Sequence, residues 1–472
     1  MKRSYLGEPM KLESVQFKHI ALFHDLKIHF HYEKQPITLI LGEQATGKSM
    51  LLKHTYHALT WLPARLKDLR SPGIVMPDQD ITQSRLQSKI EVTIQVPSEI
   101  GHLPESTSAQ QVDSSLCSWK LFKTLNASGI GVSQVETQQL DQTMALYQQV
   151  IKKDPLQGLP LIAYYPAERF VNDINLLNKN LPGITQAISA YDISPLPFTT
   201  FTRFFEWLRE ISDIENAQAA YLVQRIRSKQ SDQQDQTELL NELQKELSGQ
   251  PKQLTSPNLY ALKNALKIVL PELKDLYLQY QPRLQLMVNY EDQTLPFQQL
   301  SNTTKTWIAL VGDIARRLCL LNPLSLNPCL EGDGVLLIDQ IDAQLDSTHC
   351  SEILNRLHQA FPRLQIIATG SREELLEHAS TYQCLKLESG KISHLDLNTT
   401  KQQLEHIYTL LQRSEPLTPS IEAQPLSLID PTPTPAQIEV LFQQIQGLTE
   451  QQKNELLRMI HAGDAPEESP SV

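Results

Sequence analysis

The 472-residue chain has little cysteine, no basic excess and no long apolar run. Its five cysteines, Cys117, Cys319, Cys329, Cys350 and Cys384, form no Cys-x-x-Cys pair, which argues against a zinc ribbon or a disulfide framework and for isolated reduced thiols. No apolar stretch reaches the roughly 18–20 residues that span a bilayer. The basic start MKRSYLGEPMKLES has no apolar segment behind it, so a secretory leader is not expected and the cytoplasm is the expected compartment. Lysine and arginine total 42 against 53 acidic residues, a net charge of −11 that disfavours indiscriminate binding to nucleic acid. The cluster Arg65, Lys67 and Arg70 is short and expected to be a solvated face. His29 with His31, and Asp78 with Asp80, lack supporting ligands nearby and carry no metal or nuclease site.

What is present is a core-forming composition, 40% hydrophobic, in a chain long enough for two or three domains. Leu12, Val15 and Phe17 predict an edge strand, and Leu26, Ile28 and Phe30 alternate with polar residues as in a half-buried strand. The continuous apolar run 37–41 suits a buried parallel strand. Ile90, Val92, Ile94 and Val96 predict another strand, and the Ser-, Gln- and Thr-rich stretch 97–135 predicts long loops. Further strands are expected at 159–165, 284–288, 335–338 and 364–368, with a helical insertion over 199–275 whose Phe204, Phe205 and Trp207 would form its own core. Alternating strands and helices argue for an α/β sheet with a parallel centre. Six prolines in 414–436 mark a stiff linker. Beyond it, two short amphipathic helices at 437–446 and 450–461 suggest a docking hairpin; Thr449 with Gln452 makes a capping box, and Gly463 is placed to end it.

The segment Gly42, Glu43, Gln44, Ala45, Thr46, Gly47, Lys48 and Ser49 matches G-x-x-x-x-G-K-[ST] in full. It follows a buried strand and opens a helix expected at 50–59, which is the context the motif requires. The glycines permit a turn that aims N–H groups at phosphates, Lys48 neutralises the outer phosphates, and the Ser49 hydroxyl can ligate Mg²⁺. The second half of such a site is an acid ending an apolar strand, and V-L-L-I-D supplies Asp339 as the Mg²⁺ partner. The expected ligands are therefore ATP and Mg²⁺. Lys48 and Asp339 lie 291 residues apart, a spacing that fits ATPases of the ABC and SMC kind, which insert arms between these elements. The segment Q-L-S-N-T-T-K at 299–305, ahead of a long amphipathic helix at 307–320, stands where the ABC signature loop belongs. Ser301 would then reach the nucleotide of a second copy, and Asp346 in D-A-Q-L-D fits the D-loop at the seam between copies.

Together these motifs resemble bacterial stand-alone ABC-type ATPases of the overcoming-lysogenization-defect and RecF/SMC-like group, within the AAA family. Within it they are most similar to the ATPase subunits of Septu-type and retron-associated anti-phage systems. The resemblance rests on GEQATGKS, AYYPAERFV, FTRFFEWLREISDIEN, SPNLYALKNALKIVLP, LPFQQLS, DIARRL and VLLIDQIDAQLD, and covers most of residues 10–395. It implies an α/β P-loop fold of ABC type with a helical insertion and a C-terminal helical hairpin on a Pro-rich linker. The divisions are 1–198 and 276–398 for the two ATPase lobes, 199–275 for the insertion, 399–436 for the linker and 437–463 for the hairpin. It also implies self-association through the heads, an HNH- or TOPRIM-type nuclease as effector, and nucleic acid met through that complex.

Three positions depart from the family pattern. Gln340 follows Asp339 where relatives have the glutamate that polarises the attacking water, and an amide cannot accept the proton. Thr303 stands where the signature has glycine, and Gly370 in A-T-G-S-R stands where the switch histidine is expected. All three point to nucleotide binding with slow turnover. Tyr164, Tyr165 and Arg169 sit at a strand end as core residues or as contacts to nucleotide or DNA, and Arg372 is open as a phosphate contact or a surface residue. A RecF/SMC-like DNA-repair ATPase, or a hydrolysing ATPase that takes its base from another residue, are the alternatives.

Overall fold

The computed structural model describes residues 7–395 apart from 33, 84, 104–114, 155–156, 172–175, 177–186, 192–197, 199 and 231–255. The described residues belong to one compact unit. The expected Pro-rich linker and C-terminal hairpin lie outside the described residues, as do residues 231–255 of the expected helical insertion.

The centre is a six-stranded sheet in the order β14-β13-β3-β12-β11-β7. Its strands are β3 (Ile37–Leu41), β7 (Leu161–Tyr165), β11 (Gly334–Ile338), β12 (Leu364–Gly370), β13 (Gln383–Glu388) and β14 (Lys391–His394). All neighbours are parallel except β13 with β14. The strand before the phosphate loop, β3, and the strand ending at Asp339, β11, are separated by β12 alone, so both loops open at one edge of the sheet. The run 364–368 is therefore not the last strand of the core, because β13 returns to the other side of β3 and β14 closes that edge. Alternate residues feed two layers, since a strand turns successive side chains to opposite faces. Ile37, Leu39, Leu336, Ile338, Ile366 and Ala368 point into one core, and Ile40, Val335, Leu337 and Ile367 into the other.

The second of these cores is roofed by an antiparallel sheet in the order β2-β1-β4-β5-β6, formed by β1 (Lys11–Ile20), β2 (Phe23–His29), β4 (Gln87–Gln95), β5 (Leu116–Leu125) and β6 (Gly131–Glu136). Two expectations change here. The strand bearing Leu12, Val15 and Phe17 is not an edge: β1 is paired on both sides, by β2 and β4, and buries all three of these side chains. The stretch 97–135 is not loop throughout, since β5 and β6 occupy much of its second half. The β6 edge strand is almost wholly exposed, so its composition reads like a loop's.

Helices α1 (Lys48–Leu59) and α2 (Trp61–Lys67) pack in the same core, with α3 (Gln138–Lys153) against the sheet. On the opposite face lie α4 (Thr202–Gln230), α5 (Pro257–Val269), α6 (Asn302–Leu321), the single turn α7 (Pro328–Glu331) and α8 (Ser347–Ala360). Phe204, Phe205 and Trp207 of α4 are buried in one continuous core with α5, α6, α8 and the central sheet, not in a core of their own. The helical segment also ends earlier than its composition suggests. Strand β8 (Leu273–Gln279) pairs with β9 (Gln285–Tyr290), and β9 with β10 (Gln293–Pro296), in a small third sheet.

Candidate functional site

At the open edge of the central sheet is a cleft of about 1780 Å³. It is lined by 44–49 of the phosphate loop, by Asp339 and Gln340 after β11, by Gly370 at the end of β12 and Ser371 beyond it, and by Tyr164 of β7 and Glu168 beyond it. The structure thus gathers the loop and the strand-end acid into one place, although 291 residues separate Lys48 from Asp339 in the chain.

The loop has the geometry of an anion cradle. Ala45 (φ 60°) and Gly47 (φ 97°) both adopt left-handed backbone, which turns successive N–H groups to one side. Gly47 caps α1, whose first turn holds no acidic residue and whose N-terminus receives no side-chain cap. The unsatisfied N–H groups and positive pole of this 12-residue helix therefore remain available to an anion. Lys48 Nζ folds over the loop and donates to the carbonyls of Gly42 (2.5 Å) and Glu43 (2.7 Å). Partial burial lowers its pKa, against the pull of Asp339 and Asp342. At Gly42 an added Cβ would lie 2.5 Å from the Leu387 carbonyl oxygen, so β13 leaves no room for a side chain there.

Asp339 is buried and accepts from the Thr369 hydroxyl at 2.5 Å, leaving a strand-end carboxylate beside the loop. The Ser49 hydroxyl and this carboxylate are the hard oxygen donors that a magnesium ion takes. With the anion cradle, they fit a magnesium nucleotide, whose Lewis-acid metal would draw charge from the phosphates when bound.

Gln340 adopts φ 44°, a left-handed conformation that costs a non-glycine residue of the order of 1–3 kcal/mol. Two neighbours hold it there. Its amide N–H donates to Thr369 Oγ1 (2.8 Å), and its carbonyl accepts from Arg169 Nη2 (2.9 Å). Arg169 also donates to the carbonyls of Pro166 (2.7 Å) and Asp339. Burial lowers the Arg169 pKa to about 10 in spite of Asp339. Asp342 turns away from the cleft and takes the amides of Ser371 (2.7 Å) and Arg372 (2.8 Å), fixing the loop after β12. Arg372 is committed elsewhere: it pairs with Glu374 and donates to the Leu345 carbonyl and the Ser347 hydroxyl (3.2 Å). It does not line the cleft. At Gly370 an added Cβ would meet Leu375 Cδ1 at 2.2 Å, so the fold has filled the space a larger residue would take.

A buried ionic cluster forms the back of the cleft. Asp313 on α6 accepts from Arg316 Nε (2.8 Å), Arg317 Nε (2.8 Å) and the Tyr165 hydroxyl (2.8 Å). Burial alone would raise the Asp313 carboxyl, but the two guanidiniums overcome it and hold it well below the usual carboxylate range. Tyr165 is thus a core residue, whereas Tyr164, tilted against Tyr56 at 5.4 Å between ring centroids, reaches the cleft.

Ser301 and Asp346 do not line this cleft. Ser301 is exposed and caps α6, accepting from the Thr304 amide (3.1 Å). Asp346 is exposed and caps α8, accepting from the His349 amide (2.7 Å). The Thr303 hydroxyl reaches the Gln344 carbonyl at 3.4 Å, so the two exposed segments touch each other. Residues that motif reading passes over include Thr369, an isolated threonine within an apolar strand that no sequence signal marks. Asp313 and Arg317 carried one signal, an acid and a base four apart within the largely apolar run 307–321. Among the described residues no group of three metal-binding side chains occurs, and no helix is long and apolar enough to cross a membrane.

The profile of the AAA domain family matches residues 14–274. A retron Ec83 probable ATPase from Escherichia coli is 26% identical over 418 residues, 82% of this chain and 73% of that protein. A retron Vc95 probable ATPase from Vibrio cholerae serotype O1 biovar El Tor is 24% identical over 371 residues, 72% of this chain and 66% of that protein. Among solved structures, the Pyrococcus furiosus Smc head domain bound to the C-terminal domain of ScpA aligns at 13% identity and a TM-score of 0.43, covering 84% of this chain and 100% of that one. The recombination mediator RecF aligns at 15% identity and a TM-score of 0.37, covering 82% and 99%. With the family profile matching more than half of the chain, and a phosphate loop opening from a parallel sheet, the protein belongs to the AAA domain family and has a P-loop fold.

Proposed function

We propose that this chain is the nucleotide-gated sensor and scaffold of an anti-phage defence complex. It would bind ATP with Mg²⁺ and control a partner nuclease while turning ATP over slowly. The observation that carries this reading is the pairing of a complete phosphate loop with Gln340 at the position of the water-polarising glutamate. Residues 42–47 offer backbone amides to the phosphates, Lys48 offers its charge, and Ser49 with Asp339 offers oxygens to the metal. Ser301 and Asp346, exposed and outside their own cleft, suit contact with the nucleotide of a second copy in a head-to-head dimer or a higher oligomer. The two retron ATPases support the defence setting, and an HNH- or TOPRIM-type nuclease is the effector that fits it. Nucleic acid would be met through that complex. The division into ATPase lobes, helical insertion 199–275, linker 399–436 and hairpin 437–463 belongs to the same proposal, with the hairpin as the docking element.

The test is mass photometry of the purified chain with and without ATP–Mg²⁺, with phosphate release assayed on the same sample. Oligomers stabilised by ATP with slow release support the proposal, and a copurifying nuclease names the effector. A monomer that hydrolyses ATP rapidly, and faster still with duplex DNA, sinks it.

A further inference from the structure

Slow turnover still needs an acceptor for the proton of the attacking water, and Gln340 cannot supply one. Among the described residues, three carboxylates line the cleft: Asp313, Asp339 and Glu168. Asp313 is closed off by Arg316, Arg317 and Tyr165. Asp339 is buried, accepts from Thr369, and is the metal-side oxygen. Glu168 is exposed and makes no hydrogen bond or ion pair with any described residue.

Its placement is fixed through its neighbour. Strand β7 pairs with β11 so that Tyr165 lies beside Ile338, and the Asp339 amide donates to the Tyr165 carbonyl (2.9 Å). One turn of chain later, Arg169 grips the carbonyls of Asp339 and Gln340 from the β7 side. A cation spent on main-chain carbonyls locks the segment carrying Glu168 to the segment carrying residue 340. The carboxylate therefore enters the same cleft from the adjacent strand end.

We infer that Glu168 is the general base of this ATPase, taking over from the adjacent strand the role that Gln340 cannot perform. This rests on the cleft's being the ATP site. In the step it serves, the water oxygen forms a bond to the γ-phosphorus as the bond from that phosphorus to the β,γ-bridging oxygen breaks. ADP leaves with that electron pair, and the water proton passes to the Glu168 carboxylate and on to solvent. Arg169 is a positioning residue for this step.

The experiment compares the full-length protein with Glu168→Gln, Gln340→Glu and the double variant, measuring phosphate release at saturating ATP–Mg²⁺ and affinity for a fluorescent ATP analogue. Glu168→Gln is expected to slow release about a hundredfold or more, at the low end of what a general base contributes, with affinity unchanged. Adding Gln340→Glu to it is expected to restore release, which shows the fold intact and the missing group to be a proton acceptor. Wild-type release from Glu168→Gln overturns the inference, and so does a double variant as slow as Glu168→Gln alone. A wild-type protein that binds the analogue but releases no phosphate above buffer also overturns it and leaves the ATP-binding reading standing. Failure to bind the analogue overturns that reading itself.

Discussion

The two lips of the cleft are built on different terms. On the β3 side, every feature of an anion cradle is supplied by one stretch of eight residues and the helix it opens: left-handed turns at Ala45 and Gly47, an uncapped helix start and Lys48 over the loop. On the β11 and β12 side, little is local. Gln340 is held by Thr369 from one strand and Arg169 from another, and Gly370 is closed in by Leu375. The binding lip keeps its pattern while the hydrolytic lip departs from it at two positions, 340 and 370. A local cradle works as a unit, whereas a lip assembled from three strand ends can exchange one contributor for another and still stand.

The largest effect is expected at the back of the cleft, behind both lips. Asp313→Ala strands two buried guanidiniums and is expected to cost about 3–5 kcal/mol of stability, read as a lowered midpoint in denaturant. Because the Asp313 carboxyl is held far below its usual range, its stabilisation is present above the unfolded carboxylate range and is lost only in strong acid. At near-neutral pH the cluster should therefore show no pH dependence. On the binding lip, Lys48→Ala should weaken ATP affinity by about a hundredfold, near 2.7 kcal/mol, in an equilibrium titration, with the melting temperature unchanged. On the hydrolytic lip, Gln340→Glu alone should raise phosphate release about tenfold without altering affinity; a change in affinity and not in rate would merge the two lips into one. Beneath the binding lip, His54 of α1 is fully buried, 3.5 Å from Asp80 and against His57, and burial lowers both ring pKa values to about 4. Neutral rings are favoured in the folded state, so this stability is complete above about 6.5 and is lost as pH falls from there through about 4. A series of melting temperatures should show that slope, and His54→Gln should flatten it. The smallest effect is expected from Thr369→Val, which removes the hydroxyl between Asp339 and the Gln340 amide and should cost about 1–2 kcal/mol in denaturant unfolding.

Much of this was legible along the chain, and the failures have a physical pattern. The strands 37–41, 335–338 and 364–368 were readable because strands buried on both faces are continuously apolar. Strand β6 was not, since an exposed edge strand has no apolar side to display. Strand β1 carries no sign of its two neighbours, because alternation reports which face is buried and says nothing of how many neighbours a strand has. The burial of Phe204 and Trp207 was legible, but not that they share a core with α6 and the sheet, because periodicity marks an apolar stripe and not what covers it.

By itself the sequence determined the phosphate loop, its helix, the apolar strand ending at Asp339 and the substitution at Gln340, because each is encoded within a few contiguous residues. Only the tertiary structure decided that β12 lies between β3 and β11, that Thr369 and Arg169 hold residue 340, and that Glu168 enters the same cleft. Those are contacts between residues tens to hundreds of positions apart, and strand order, which local composition does not record, brings them together.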